Sequence, residues 1–211
     1  MRRDWLFPAL LSLFAILPLI PGAMRLVELS GGPQILLENP RATAAPVPVV
    51  LHIVTAFFYT VLGAWQFSPA LRRTAWHRRV GRLLAPLGLG AALSGLYLTL
   101  AFPTAPEYDA TLLVPVRLMV SSYMALAIGL ALRAVIMRRD LPAHRDWMLR
   151  AYALGLGAAT QLLVFIPTLP FGAPGPAAAT LLLSSGWLIN LAIAEWIIQR
   201  SRLRRPALAA G

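Results

Sequence analysis

The stretch VPVVLHIVTAFFYTVLGAWQF, residues 47–67, sets the architecture, because it holds no Asp, Glu, Lys or Arg and is long enough to cross a bilayer. A membrane-spanning helix needs about 20 predominantly apolar residues. Within this stretch the less bulky or more polar residues recur at steps of four and three, which is the repeat of one helix face. They are His52, Ala56, Tyr59, Gly63 and Gln66. We therefore predict a transmembrane helix that turns this face toward other parts of the protein.

Five further stretches are apolar over a similar length. The six predicted spans cover residues 5–24, 47–67, 80–102, 112–137, 148–171 and 177–198. Hydrophobic residues make up 58% of the 211-residue chain and charged residues only 13%, too few to cover a soluble globule of this size. The sequence therefore predicts an all-α membrane protein, built as a bundle of six transmembrane helices.

The positive charge is distributed unevenly between the connections. Cytoplasmic loops beside membrane spans carry an excess of basic residues. The arginines concentrate at the N-terminus, in the second and fourth connections and in the C-terminal tail, whereas the first, third and fifth connections hold few or none. The basic set comprises Arg2, Arg3, Arg72, Arg73, Arg78, Arg79, Arg82, Arg138, Arg139, Arg145, Arg150, Arg200, Arg202, Arg204 and Arg205. This asymmetry predicts that both termini lie in the cytoplasm of a bacterial cell and that the chain is a multipass inner-membrane protein.

The net charge of +11 raises nucleic acid as a partner, but a nucleic-acid-binding face needs cations spread over a water-exposed surface. Here the arginines lie between apolar runs of spanning length. We therefore expect membrane lipids as partners, with other membrane subunits as a further candidate, and no nucleic acid. Cysteine is absent, which excludes disulfides and thiolate metal sites.

The chain divides into four predicted segments. Residues 1–24 form the first transmembrane helix, and the lack of a small-residue cleavage site favours a retained signal anchor over a cleaved signal peptide. Residues 25–46, rich in Gly and Pro, are predicted to be an external loop. Residues 47–199 form a five-helix membrane domain, and residues 200–211 form a basic cytoplasmic tail.

The third span carries a second stripe, made of small residues. Small side chains let a neighbouring helix backbone approach closely. The members of this stripe are Gly81, Ala85, Gly88, Ala92, Gly95 and Thr99. We therefore expect the second and third spans to pack tightly, with Leu89 facing lipid.

Several polar residues fall inside or beside the later spans. Side-chain amides in a bilayer are most often interhelical hydrogen-bond partners, which is the role we expect for Gln161 and Asn190. Arg117 is expected to extend to the outer head groups. We expect Glu195 to pair with an arginine at the cytoplasmic end. Asp146 and Arg150 have the spacing of an i, i+4 ion pair on one helix.

The three histidines provide the main candidates for chemistry. His77 and His144 each precede an arginine at the predicted cytoplasmic mouth of a span, so neighbouring helices can bring them together. His52 lies about 16 helical residues, roughly 24 Å, from that side and cannot bind the same atom. No zinc-type spacing, nucleotide-binding glycine loop or catalytic triad order is found, so we assign no catalytic residue and no metal site.

Several of these segments together resemble one known family. They are the GAWQF segment after His52, then LRRTAWHRRVGRLL, LSGLYL, HRDWMLRAYALGLGAA and INLAIAEWII, in that order over about residues 48–198. The chain thereby resembles the predicted multipass bacterial membrane proteins known as "domain of unknown function 2306". The resemblance implies the membrane location and the helical fold, and implies no activity. It also draws attention to the histidines and to Arg78, Arg145, Trp147 and Arg150.

Two functional hypotheses remain open. The first is a small redox-associated bundle that binds haem, of the b type, or a quinone near the cytoplasmic His/Arg cluster. The second is a non-redox binding or transport bundle for an anionic head group or a small anion. The candidate binding residues, shared by both hypotheses, are His77, His144, His52, Arg78, Arg145, Arg150 and Gln66.

Overall fold

The computed structural model describes residues 4–36 and 38–209, although the side chains of residues 40, 41 and 204–209 are left undescribed. Within these residues the chain forms nine α-helices and no strand. They are α1 (Leu6–Ile16), α2 (Leu19–Leu29), α3 (Pro40–Ala44), α4 (Pro46–Ala64), α5 (Ala75–Ala101), α6 (Ala110–Met137), α7 (Leu141–Gly155), α8 (Gly157–Phe165) and α9 (Pro176–Ala209). Short 3-10 helices cover Trp65–Phe67, Leu71–Arg73 and Ile166–Phe171. Arg2 and Arg3, and the side chains of Arg204 and Arg205, lie outside this description.

Four of the six predicted spans are confirmed as helices long and apolar enough to cross a membrane. They are α4 with its following 3-10 turn (Pro46–Phe67), α5, α6 and the first part of α9 (Pro176–Leu203). The remaining two are bent pairs, α1 with α2 and α7 with α8, which qualify only when both members count as one span. The chain therefore has four to six candidate spans.

Both bends depart from the continuous helices expected over residues 5–24 and 148–171. The axes of α1 and α2 differ by 46°, at Pro18, whose ring removes the backbone N–H that would continue the helix. The axes of α7 and α8 differ by 43° at Leu156, between Gly155 and Gly157, and paired glycines are a common cause of kinks. Trp187 packs so closely there that a Cβ added to Gly157 would lie 2.2 Å from its indole ring.

The predicted external loop and tail contain more helix than expected. Helix α2 continues to Leu29, and α3 follows before α4 begins. The irregular part between them is fastened by Glu28, whose carboxylate accepts a hydrogen bond from the backbone N–H of Ile35 at 2.7 Å. Helix α9 continues to Ala209, through most of the segment predicted as the tail.

Helices α4, α5, α6 and α7 form a ring in which each helix packs against the next, and α7 closes it against α4. The hydroxyl of Tyr152 on α7 donates to the backbone carbonyl of Thr60 on α4 at 2.6 Å. Helices α8 and α9 pack outside this ring, and α1 packs against α4. Because α5 and α7 are not adjacent in the ring, they lie diagonally across it.

Tyr59 fills the centre of the ring and is only 1% exposed. Its aromatic ring lies between two glycines: an added Cβ would be 2.6 Å from Tyr59 Cε2 at Gly88 on α5, and 2.9 Å from Tyr59 Cε1 at Gly155 on α7. The small stripe of α5 therefore receives α4, as predicted. The lipid-facing assignment of Leu89 is wrong, because this residue packs partly buried against the core, whereas Leu93, one turn on, is 55% exposed.

Helix α9 is tied to α7 by two ion pairs. The guanidinium of Arg150 binds the Glu195 carboxylate through both Nε and Nη2, which confirms that Glu195 pairs with an arginine. Asp146 accepts from Nε and Nη2 of Arg202 at 3.1 and 2.9 Å. The predicted pair between Asp146 and Arg150 is therefore wrong. The Arg150–Glu195 contact is bidentate, a geometry that favours an arginine–carboxylate pair, whereas both Arg202 nitrogens donate to the single oxygen Asp146 Oδ2.

The amides inside the spans bond between helices, as predicted. Gln161 Nε2 donates to the Leu183 carbonyl at 2.9 Å. Asn190 Nδ2 donates to the Ala153 carbonyl at 3.1 Å, and its Oδ1 accepts from the Thr160 hydroxyl at 2.7 Å. These bonds hold α9 against α7 and α8.

The two ends of the bundle differ in charge. At one end the backbone N–H of Asp109, just before α6, donates to the Thr180 hydroxyl at 2.9 Å, so the connection into α6 lies beside the start of α9. We call this the loop end. At the other end the Arg202–Asp146 pair joins α9 to the start of α7, close to the basic connections. We call this the arginine-rich end.

Candidate functional site

Five side chains lie close together at the arginine-rich end, and four of them are predicted binding residues. They are Gln66, Arg72, His77, His144 and Arg145, and we call them the His77 cluster. The charge of His144 acts on His77, and the charge of Arg145 acts on Arg72. Gln66 Oε1 lies 3.8 Å from the position of an added Cβ at Gly81, one turn along α5 from His77. The two histidines, far apart in sequence and on diagonal helices, thus come within electrostatic range of each other.

The hydrogen bonding of this cluster is incomplete. His144 Nδ1 lies 3.0 Å from the Ala131 carbonyl on α6, and because a carbonyl only accepts, Nδ1 carries the proton. By contrast, His77 Nδ1 and Gln66 Nε2 are buried and have no hydrogen-bond partner in the part of the chain that is described. Buried polar atoms in folded proteins are nearly always bonded, so two orphans at one place require an explanation.

The other arginines predicted to be functional occupy different environments. Arg78 is exposed and its charge acts on His77. Arg150 is bound to Glu195 and stacks 4.7 Å above the Trp147 ring, so it belongs to the contact between α7 and α9.

Partial burial lowers the pKa of Arg72, and the charges of Arg145 and Arg73 act in the same direction. The His77 cluster is therefore a concentration of positive charge.

A cavity of about 320 Å³ opens inside the bundle on the other side of Tyr59, toward the loop end. Helices α4 to α9 all contribute to its walls, which are mostly apolar. Its polar side chains are His52, Tyr59, Thr60, Thr99, Arg117, Ser121 and Gln161. We call it the His52 cavity.

The orientation of His52 is fixed by α5. Its Nδ1 lies 3.0 Å from the Ala91 carbonyl and 3.0 Å from the Ser94 hydroxyl oxygen, which itself donates to the Gly90 carbonyl at 2.6 Å. Because a carbonyl oxygen can only accept, the contact with Ala91 makes Nδ1 the protonated nitrogen of the neutral ring. The other nitrogen, Nε2, then carries a lone pair that can accept a hydrogen bond.

Two more groups give the cavity hydrogen-bonding capacity. The Tyr59 hydroxyl is buried and bonds to none of the residues that the structure describes. Gln161 Nε2 uses one N–H on the Leu183 carbonyl, which leaves its second N–H. Arg117, expected to reach the outer head groups, lines the cavity, and its charge acts on His52. Trp187 forms part of the wall.

The sequence pattern predicted that some of the lining residues face inward, but it did not predict a cavity between them. His52 and Tyr59 belong to the predicted inward face of α4, and Gly95 and Thr99 to that of α5. Ser121 carried no sequence signal, because a serine in a spanning helix can bond its own backbone. Among residues 4–36 and 38–209, no group of three or more His, Asp or Glu side chains could hold a metal ion.

A family model described as "Predicted membrane protein (DUF2306)" matches residues 49–198, more than two thirds of the chain. The chain therefore belongs to this family of predicted membrane proteins, as the sequence resemblance indicated. Neither the curated proteins nor the solved structures give a significant match. The family description assigns no activity, so the arguments for function rest on the two sites.

Proposed function

We propose that this DUF2306 member is a membrane-embedded binding protein whose His52 cavity holds the ring of a quinone or quinol. The observation that carries the proposal is a mostly apolar cavity lined by the His52 imidazole and by Tyr59, whose buried hydroxyl has no partner among the described residues. Ligand pockets are typically apolar with a few such polar groups, which set the orientation of the ligand.

The chemistry of these groups matches both redox forms of a quinone-type ring. Such a ring is flat and apolar, with oxygens at opposite edges. A quinol hydroxyl can donate to His52 Nε2, whereas a quinone carbonyl can accept from the Tyr59 hydroxyl or from the second N–H of Gln161. Ligands with only acceptors, or only donors, would use fewer of these groups.

Haem is less well supported at either site. The described wall of the His52 cavity offers a single imidazole nitrogen to iron, and a volume of about 320 Å³ is near the lower limit for ligand pockets. A one-ring head group suits that volume better than a four-ring macrocycle. At the other end, His77 and His144 are surrounded by cations, and no further ligating side chain joins them in the described structure.

Binding of a short-tailed ubiquinone analogue tests the proposal, with quenching of the Trp187 fluorescence as the readout. We expect Tyr59→Phe to weaken binding about tenfold, because it deletes one hydrogen bond to the ligand. The same variant should be at least as stable as the wild type, since it also removes a buried hydroxyl without a partner. Trp187→Phe should abolish the quenching signal.

The matched control is Leu93→Phe, which changes an exposed side chain on the outer surface of α5 and should leave the affinity unchanged. Equal affinity of the wild type and of both Tyr59→Phe and His52→Ala would contradict a quinone site in this cavity. An iron-porphyrin absorption band in the purified protein that disappears in His52→Ala would replace the quinone with haem.

We further infer that the protein crosses a bacterial inner membrane six times, with each bent pair forming one crossing and both termini in the cytoplasm. The arginine asymmetry supports this orientation. The course of the fifth span also supports it, since α7 begins at the arginine-rich end and the chain reaches the loop end before α9, where Asp109 contacts Thr180.

Reporter fusions test this topology. An enzyme active only in the periplasm should give signal when fused after Pro106 and after Gly172, and none when fused after Arg139. Signal after Pro106 without signal after Gly172 would show that α7 and α8 re-enter the membrane on one side. A fully reversed pattern would contradict the orientation.

A further inference from the structure

We propose that Gln66, His77 and the arginines Arg72 and Arg145 form a binding site for a phosphate group at the arginine-rich end. This site lies on the far side of Tyr59 from the His52 cavity and does not depend on the quinone proposal. Gln66 follows Tyr59 by seven residues, about 10 Å along the helix direction.

Gln66 and His77 each have a buried nitrogen whose hydrogen bonding is unfilled among the described residues. An amide nitrogen can only donate, so the buried Gln66 Nε2 requires an acceptor. His77 Nδ1, also buried without a partner among the described residues, can donate when it carries the proton. Leaving such atoms unpaired costs about 1 to 3 kcal/mol each. A phosphate oxygen is an acceptor for both.

Positive charge accumulates around His77 and Arg72. The groups whose charges act on His77 are His144, Arg72 and Arg78, and those acting on Arg72 are Arg145 and Arg73. All are cationic. Three carboxylates of this end have partners elsewhere: Asp140 caps α7 by accepting from the Ala143 N–H at 2.9 Å, Asp146 binds Arg202 through Oδ2, and Glu195 binds Arg150, whereas Asp146 Oδ1 is buried without a partner among the described residues. A bound anion would offset the repulsion between the positive side chains of the cluster.

The residues of this site come from three different connections of the bundle. Gln66 lies in the 3-10 turn after α4, Arg72 in the next 3-10 turn, His77 in the first turn of α5, and His144 and Arg145 in the first turn of α7. Three connections of the bundle thus contribute, and the ring of His144 is held by the Ala131 carbonyl. Phosphate is bound well by several charge-assisted donors from different directions. Its source is either a phospholipid of the adjoining leaflet or a soluble phosphate compound.

Thermal stability of the purified full-length protein tests the site. The probes are inorganic phosphate, nanodiscs of phosphatidylcholine containing phosphatidylglycerol, and nanodiscs of phosphatidylcholine alone. We expect phosphate or phosphatidylglycerol to raise the melting temperature of the wild type. In Arg72→Gln and Gln66→Leu the apparent affinity should fall about tenfold, as expected when one charge-assisted bond is lost.

The matched control is Arg79→Gln, which removes an equal charge from an exposed arginine. Arg79 lies on α5, the helix that carries His77, but its charge is not among those that act on His77. Stabilisation by phosphate would identify a soluble source. Stabilisation by phosphatidylglycerol that phosphate does not compete away would identify a lipid. No stabilisation by either probe, or an equal loss in Arg79→Gln and Arg72→Gln, would overturn the proposal. Quinone binding, measured on the same variants, should be unchanged in either case.

Discussion

Gly88→Leu will prevent the four-helix ring from closing, and we expect little folded protein to accumulate. A Cβ at this position would lie 2.6 Å from Tyr59 Cε2 and 2.8 Å from Ile128 Cδ1, before the rest of the leucine side chain is added. Tyr59 cannot retreat, because Gly155 already contacts its other edge. Overpacking of a buried site costs about 3 kcal/mol or more when the neighbours cannot move. Size-exclusion profiles and melting temperatures in detergent measure the effect.

The matched control for this prediction is Gly129→Leu on α6. No atom lies within 4 Å of a Cβ added there, and the residue is exposed, so the same substitution enters open space. We expect Gly129→Leu to fold nearly as well as the wild type. Similar yields and melting temperatures for the two variants would show that the small stripe of α5 is not an interface.

Glu195→Gln should destabilise the protein by about 1 to 2 kcal/mol, since removing one member of a partly buried ion pair leaves the other charge uncompensated, while solvent around the Glu195 carboxylate, which is 35% exposed, screens part of the effect. The side chain of Arg150, which would lose its partner, is only 13% exposed. The measurement is the thermal or denaturant stability of the purified variant. Glu107→Gln, at an exposed acid in the connection before α6, is the control and should change stability by less than about 0.5 kcal/mol.

The double variant Arg150→Glu with Glu195→Arg tests whether these two residues stabilise the protein through their contact with each other. It should recover most of the lost stability, because the two charges still meet, although the contact between Arg150 and the Trp147 ring is lost. If the double variant were as unstable as the sum of its single changes, the contact would contribute no pairwise energy.

The features that sequence reasoning predicted correctly depend on local periodicity. The inward face of α4 and the small stripe of α5 follow from a helical repeat of 3.6 residues, which any helix in this stretch must obey. The amides of Gln161 and Asn190 were predictable because a bilayer offers them few partners other than neighbouring helices. The length of an apolar run likewise predicts a span without information about its neighbours.

The features that were missed depend on how the helices are placed. Asp146 has a suitable local partner in Arg150, yet α9 brings Arg202 and Glu195 to the same surface, and no pattern within α7 could show this. The kink at Leu156 depends on Trp187 packing against Gly157. The His52 cavity is a space left between six helices, and a sequence records side chains rather than the gaps between them.

The two ion pairs of α9 have a consequence for biogenesis. Arg150 is separated from Glu195 by 45 residues, and Asp146 from Arg202 by 56. At a synthesis rate of roughly 5 to 20 residues per second, each nascent charge waits some seconds for its partner to leave the ribosome. During that interval α7 carries an acid and a base that the translocon or the lipid head groups must accommodate. Both pairs can form only after α9 has been synthesised.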